Sequence, residues 1–249
     1  MGFHTLVYHE VRDSFDWSSR ATSKLITENG YSDQLPQALF VTVQDFIEQM
    51  LYLKENDFHF LSLSEVKDFY ELDTVLPDKS ILITVDDAFQ SFYYNAYPIL
   101  KELKIKAALF LVSGWLFEKA SEFDQTHSKV MSKVELFKMN DMLELANHSD
   151  NLHNRPGERM NGVMTATKKE LQDDLALCNK LVDHTDTFAY PFGFYNQHAL
   201  EILSDSGIHY SFTTQPGLNT KETPRLELHR FLVHNHCSLD IFKEYVETY

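Results

Sequence analysis

The chain has 249 residues, 43% of them hydrophobic and 19 of them Phe, enough for one domain with a sizeable core, and no Gly/Ser/Pro-rich linker divides it. Its 37 acidic residues against 22 basic ones, a net charge of -15, exclude nucleic acid or an anionic membrane surface as partner, because binding either rests on Lys/Arg neutralisation. No apolar stretch reaches the length of a membrane span, and Met1-Gly2-Phe3-His4 has neither the basic region nor the apolar run of an export signal, so the chain is expected to be cytoplasmic or to have lost an export segment.

In chain order, residues 3–8 read as a first strand that ends on His9-Glu10. Residues 12–40, with Trp17, Asn29-Gly30 and Pro36, lack sustained periodicity and predict a long irregular segment over one face. Thr42 is an N-cap for a helix whose Phe46, Ile47, Met50 and Leu53 share a face. A short strand over 58–61 and a short helix from Ser64 lead to the continuous apolar strand 81–85, which runs straight into Asp86-Asp87. A helix over 91–103 is expected despite Pro98, then a buried strand over 106–112 closed by Ser113-Gly114-Trp115. After a polar stretch, 143–147 reads as a strand ending on His148. Thr167 to Glu170 is a capping box opening the helix that carries Cys178. Strand 187–190 ends at Pro191, helix 196–206 is stopped by Gly207, and strand 208–213, strand 226–233 and helix 238–246 complete the chain. Cys178 and Cys237 form no CxxC pair and read as ordinary buried thiols.

Strands alternating with helices predict a single-domain α/β fold over 1–249, a distorted (β/α) barrel of seven to eight mainly parallel strands. His9, Asp86-Asp87, His148 and the Pro191-Phe192-Gly193 turn each follow a strand, and in such a barrel those points share one rim. Two adjacent carboxylates push one pKa upward unless a cation sits beside them, which suggests one on a metal and the other free for proton transfer. His148 and His153, five apart, would point about 140° from each other on a helix and therefore suit a loop wrapped around an ion. With an aspartate they make a donor set for a catalytic divalent transition metal, zinc first, with cobalt or nickel as alternatives. His229, His234 and His236 read as surface or packing residues, and Asn151, Arg155 and Tyr195 as polar rim-loop groups able to meet hydroxyl groups of a ligand.

The run Thr84-Val85-Asp86-Asp87-Ala88-Phe89 resembles the TFDDG-type motif of the NodB-like polysaccharide deacetylases. His148 to His153 resembles their histidine metal motif, and Tyr190-Pro191-Phe192-Gly193 their groove motif. Tyr8-His9 matches the circularly permuted branch, the poly-β-1,6-N-acetylglucosamine N-deacetylases. The resemblance implies that Asp87, His148 and His153 bind the metal, that Asp86 is general base and His9 general acid, and that Tyr190, Pro191, Phe192 and Gly193 meet the substrate; Trp115, placed just after a strand end, is read either as a wall of the acetyl pocket or as a core aromatic. It further implies removal of N-acetyl groups from a cell-surface or biofilm polysaccharide, at the envelope or outside the cell. A binding relative without turnover, and a deacetylase of peptidoglycan or O-acetyl esters, are the alternatives. Ala88 stands where the family carries glycine, which strains the turn if φ is positive there. Val85 replaces an aromatic residue and Phe192 a tyrosine, and no arginine or tryptophan motif of the kind that orients the base is evident.

Overall fold

The structure, a computed structural model, describes residues 2–15, 21–72, 74–139 and 141–248; Met1 and Trp17 lie outside them. The central sheet contains strands β1 (His4–Tyr8), β2 (His59–Phe60), β3 (Ser80–Asp86), β4 (Ala107–Leu111), β5 (Leu143–Asn147), β6 (His184–Ala189), β7 (Tyr210–Phe212) and β8 (Phe231–Leu232). Their order is β7-β6-β5-β4-β3-β1-β8, with β2 also on β3, and every pairing is parallel. Residues 225–232 bridge the two edges of this curled sheet. Thr213 N–H donates to Leu228 O at 2.8 Å on one side, and Phe231 pairs with Leu6 of β1 on the other. The expected distorted parallel barrel is therefore what the chain forms.

Strand alternation decides which side chains enter the barrel. In β3, Ile81, Ile83 and Val85 pack outward in the large cluster shared with the helices, whereas Leu82 joins the interior cluster, so Thr84 and Asp86 also point inward. In β5, Leu143 and Leu145 pack outward and Ala146 inward, which aims His148 inside as well. Around this barrel, Val43–Glu55 starts at Thr42, whose hydroxyl accepts from Asp45 N–H, and Lys168–Cys178 opens on a Thr167/Glu170 capping box. The short helix Leu63–Glu71 is capped at Ser62 rather than Ser64, with Glu65 closing its box. The segment before Pro98 is a π-helical turn, Phe92–Ala96, and the α-helix proper is Tyr97–Leu103, which seats the proline in its first turn where no N–H is needed.

One expectation is corrected. Residues 12–40 are not simply irregular: Thr22–Ile26 and Gln34–Pro36 pair antiparallel, Ser128–Lys129 adds in parallel, and Glu10–Arg12 pairs with Phe40–Thr42. These strands are two to five residues long, too short to carry enough apolar positions to register as a period.

Arg12 fastens this layer to the barrel rim. Its guanidinium donates twice to Glu10, at 2.9 Å each, and to the carbonyls of Asp124 and His127, at 3.2 and 2.5 Å, while Glu10 also accepts from the Ser91 hydroxyl. The Glu10 and Arg12 side chains are 0% and 6% exposed. Removing one partner of such a pair strands the other charge at a cost of about 3–5 kcal/mol. Arg12→Met is expected to lower the melting temperature by about 10 °C in a thermal scan, since each kcal/mol moves a domain of this size by about 2–4 °C. Adding Glu10→Gln should recover part of the loss; an unchanged melting temperature in the single variant would contradict the assignment.

Candidate active site

The rim formed by the C-terminal strand ends surrounds a cavity of about 310 Å³ lined by His9, Asp86, Asp87, Trp115, His148, His153, Arg155, Phe192 and Gly193, with Tyr31 and residues 33–36 among those hooding it. The acids reach it by a forced turn. Asp87 and Ala88 both have left-handed backbone, φ 71° and 57°, so alanine occupies a conformation that favours glycine and the turn is kept nonetheless. Asp87 N–H donates to Phe110 O, and Ala88 O accepts from Met131 N–H, which holds the strained pair from both sides.

Asp86 is locked inside the barrel by Arg230, with Nη1 to Oδ1 at 2.7 Å and Nη2 to Oδ2 at 2.8 Å. Arg230 is itself fully buried, and its Nε donates to Thr213 O and its Nη1 to the Thr84 hydroxyl. Burial alone would raise the Asp86 pKa; the Arg230 guanidinium and the neighbouring His148 outweigh it and hold this carboxyl below its ordinary range. Asp87 behaves oppositely. Burial and the charge of Asp86 push it well above the carboxylate range, and its Oδ1 is buried with no hydrogen-bond partner among the described residues.

That orphaned oxygen lies 3.6 Å from His148 Nε2 and 3.3 Å from His153 Nε2. His148 Nδ1 is 2.7 Å from Ala189 O; protonated there, it donates to that carbonyl and leaves the Nε2 lone pair facing Asp87. Burial lowers both imidazole pKa values, with the His148 ring depressing His153 further, so both are neutral donors near pH 7. Ligand atoms from Asp87, His148 and His153 lie within 4.8 Å of one another. The buried donor set, one unpartnered carboxylate oxygen and two neutral imidazoles, fits a divalent transition ion of the kind that takes nitrogen and oxygen ligands.

Aromatic rings pack around this triad. Trp115 and Phe192 each meet the His153 ring edge-on, at 4.5 and 4.4 Å between centroids. Arg155 lies 3.7 Å above the Phe192 ring and pairs through Nε with Asp33 at 3.0 Å. His9 lines the same cavity; burial lowers its imidazole to about 4, against a partial offset from Asp86.

Two expected groove residues lie elsewhere. Tyr190 and Pro191 are buried and absent from the cavity wall, because Phe188 and Tyr190 alternate outward toward the helices. The Tyr190 hydroxyl donates to Leu226 O, and Pro191 O accepts from Asn161. Tyr195 donates to Glu227 and Asn151 is tied to Asn29 and Asp150, so of the three rim-loop residues only Arg155 faces the cavity. His229, His234 and His236 do not line it. The sequence reading missed Arg230 and found no base-orienting arginine. Its signal was a cation inside the strand-like stretch 226–233, since arginine is almost never fully buried unless paired.

Residues 73–211 match the polysaccharide deacetylase family. The chain is 30% identical over 199 residues to a poly-beta-1,6-N-acetyl-D-glucosamine N-deacetylase of Staphylococcus aureus, an alignment spanning 75% of this chain and 67% of that one. It is 27% identical over 212 residues to the protein of the same name from Staphylococcus epidermidis, spanning 82% and 72%. Among solved structures, the deacetylase PplD of Streptococcus pyogenes superposes with a TM-score of 0.77 at 22% identity, over 99% of this chain and 98% of that one. IcaB from Ammonifex degensii gives 0.75 at 22%, over 99% and 96%. By the extent of the family match and the identity to these relatives, the chain belongs to the polysaccharide deacetylase family of hydrolases.

Proposed function

We propose that this chain is a metal-dependent N-deacetylase that hydrolyses acetamide groups of a poly-N-acetylglucosamine at the cell surface. The names of its relatives supply the substrate class, and one observation in the site carries the chemistry: two adjacent buried carboxylates are held in different states, Asp86 paired with Arg230 and Asp87 left open beside His148 and His153. Asp87, His148 and His153 would hold the ion. When bound there, a divalent transition ion supplies Lewis acidity toward the acetamide carbonyl and toward water.

Asp86 acts as general base. Its two oxygens keep lone pairs beyond those occupied by Arg230, and its charged state at neutral pH lets it accept a proton from the attacking water. The amide nitrogen leaves only once protonated, and His9 donates that proton. Burial keeps His9 neutral in the resting site, and negative charge growing on the carbonyl oxygen is what raises its pKa to load it. The water proton taken by Asp86 is the one that loads His9 and reaches the departing nitrogen, and the new carboxylic acid gives the second to the freed amine, so the products are acetate and a protonated amine, with Asp86 and His9 as they began. Trp115 and Phe192 wall the acetyl group, and the apolar packing around His153 keeps bulk water from its ring.

The binding-only alternative rests on Ala88 and Phe192; against the first, the turn that alanine occupies keeps Asp87 beside both histidines. Asp86→Asn is expected to lower acetate release from N-acetylglucosamine oligomers by about 10²–10⁴-fold, the range for a general base. Activity retained in that variant contradicts the assignment of the base, and a metal-loaded chain that acts only on O-acetyl or peptidoglycan substrates contradicts the substrate.

Metal loading should also release a proton. Asp87, raised above its ordinary range, keeps its proton to higher pH in the metal-free protein than an ordinary carboxyl does, whereas the two depressed imidazoles are neutral near pH 7. Calorimetric zinc titration in buffers of different ionisation enthalpy should therefore report proton release on binding, growing as the pH is lowered. No release would mean that Asp87 is charged before the ion arrives.

A further inference from the structure

The loop between the two histidines is fastened from beneath by a side chain that lines neither the cavity nor the triad. Asp174 sits on the buried face of Lys168–Cys178, in the same row as Leu171, Leu175 and Cys178, and is 6% exposed. Its Oδ1 accepts the backbone N–H of Asp150 at 2.8 Å, and its Oδ2 accepts those of Asn151 at 2.7 Å and Leu152 at 3.2 Å. Three successive peptide N–H groups thus converge on one carboxylate, the arrangement in which a backbone nest holds an anion. An apolar residue would satisfy helix packing at this position without the cost of burying a carboxylate.

The same loop is held at its start by Asn147, whose Oδ1 accepts from Ser149 N–H and whose Nδ2 donates to Asn179 Oδ1. Ser113 donates to Asp150 Oδ1 at 2.5 Å from the neighbouring strand end. Ser149 has φ 78°, a left-handed conformation that needs such support. The loop's path is therefore set by the groups around it, with the carboxylate of Asp174 holding the three peptides between the ligands.

We propose that Asp174 is a positioning residue for the metal site: by gripping the peptides of Asp150, Asn151 and Leu152 it fixes the separation of His148 and His153. This rests on the reading of those histidines as metal ligands. The test is zinc affinity, measured by competition with a chromophoric chelator in the full chain, for the wild type, Asp174→Asn, Asp174→Glu and Leu171→Ala. Asparagine keeps one acceptor and turns an amide N–H₂ toward peptide donors, so Asp174→Asn should weaken zinc binding by about 10–100-fold, as loss of an outer-shell partner does. Asp174→Glu, which keeps the charge, should lose less. Leu171→Ala removes packing from the same helix and should lower the melting temperature while leaving zinc affinity unchanged.

Equal affinity in Asp174→Asn and wild type would overturn the inference, as would a loss in Leu171→Ala as large as that in Asp174→Asn. If Asp174→Asn fails to fold, amide hydrogen exchange in the metal-free wild type decides: protected amides at 150–152 support the grip, and freely exchanging ones overturn it. A wild-type chain that binds no zinc removes the metal reading and this inference together, an outcome distinct from equal affinities among zinc-binding variants.

Discussion

The bidentate pair between Arg230 and Asp86 is the constraint on which the site depends. Two neighbouring carboxylates in a buried rim cannot both be charged without a counterion, and Arg230 bonds directly to Asp86 while burial and the Asp86 charge dominate at Asp87. The asymmetry follows from strand parity. Asp86 is the last inward residue of Ser80–Asp86, in line with Leu82 and Thr84, and Arg230 enters the same interior from the segment that bridges the sheet edges. Asp87, one residue later, leaves the strand by a left-handed turn and faces the histidines instead. Breaking a buried pair of this kind costs far more than an exposed ion pair contributes, so the state of Asp86 is tied to closure of the barrel itself.

A second layer of support keeps the donors in register. Ala189 fixes the His148 tautomer, rings from Trp115 and Phe192 fix the tilt of His153, and Asp174 holds the peptides between them. The hood is joined to the histidine loop through Asn29 to Asn151 and Asp33 to Arg155, and Tyr31 stacks on Trp115 at 5.5 Å. The hood and the triad thus share a wall, and a change in the hood reaches the His153 ring through two contacts, Trp115 and Phe192.

Much of this was legible in the sequence, for identifiable reasons. Continuous apolar strands such as Ala107–Leu111 and capping boxes such as Thr167 with Glu170 are local signals, and they placed the barrel and its rim. The Asp86-Asp87, His148 and His153 positions followed because each comes just after a strand. At Tyr190 the motif match carries residue order but not the face, and the alternation of Phe188 and Tyr190 sends the ring into the helix layer. Arg230 and Asp174 were missed because their partners lie 144 and 22 to 24 residues away, separations over which no local pattern speaks. Thr22–Ile26 and Gln34–Pro36 were missed because they depend on pairing with each other rather than on a buried face.

The central claim is that Asp87, His148 and His153 form the ion's protein shell while Asp86 stays outside it on Arg230. X-ray absorption spectroscopy of the zinc-loaded chain tests this most directly. The account predicts two imidazole nitrogens and carboxylate oxygen at about 2.0–2.2 Å, without sulfur. It also predicts a spectrum unchanged by Asp86→Asn and altered by Asp87→Asn. A shell that changes on Asp86→Asn and survives Asp87→Asn would contradict it.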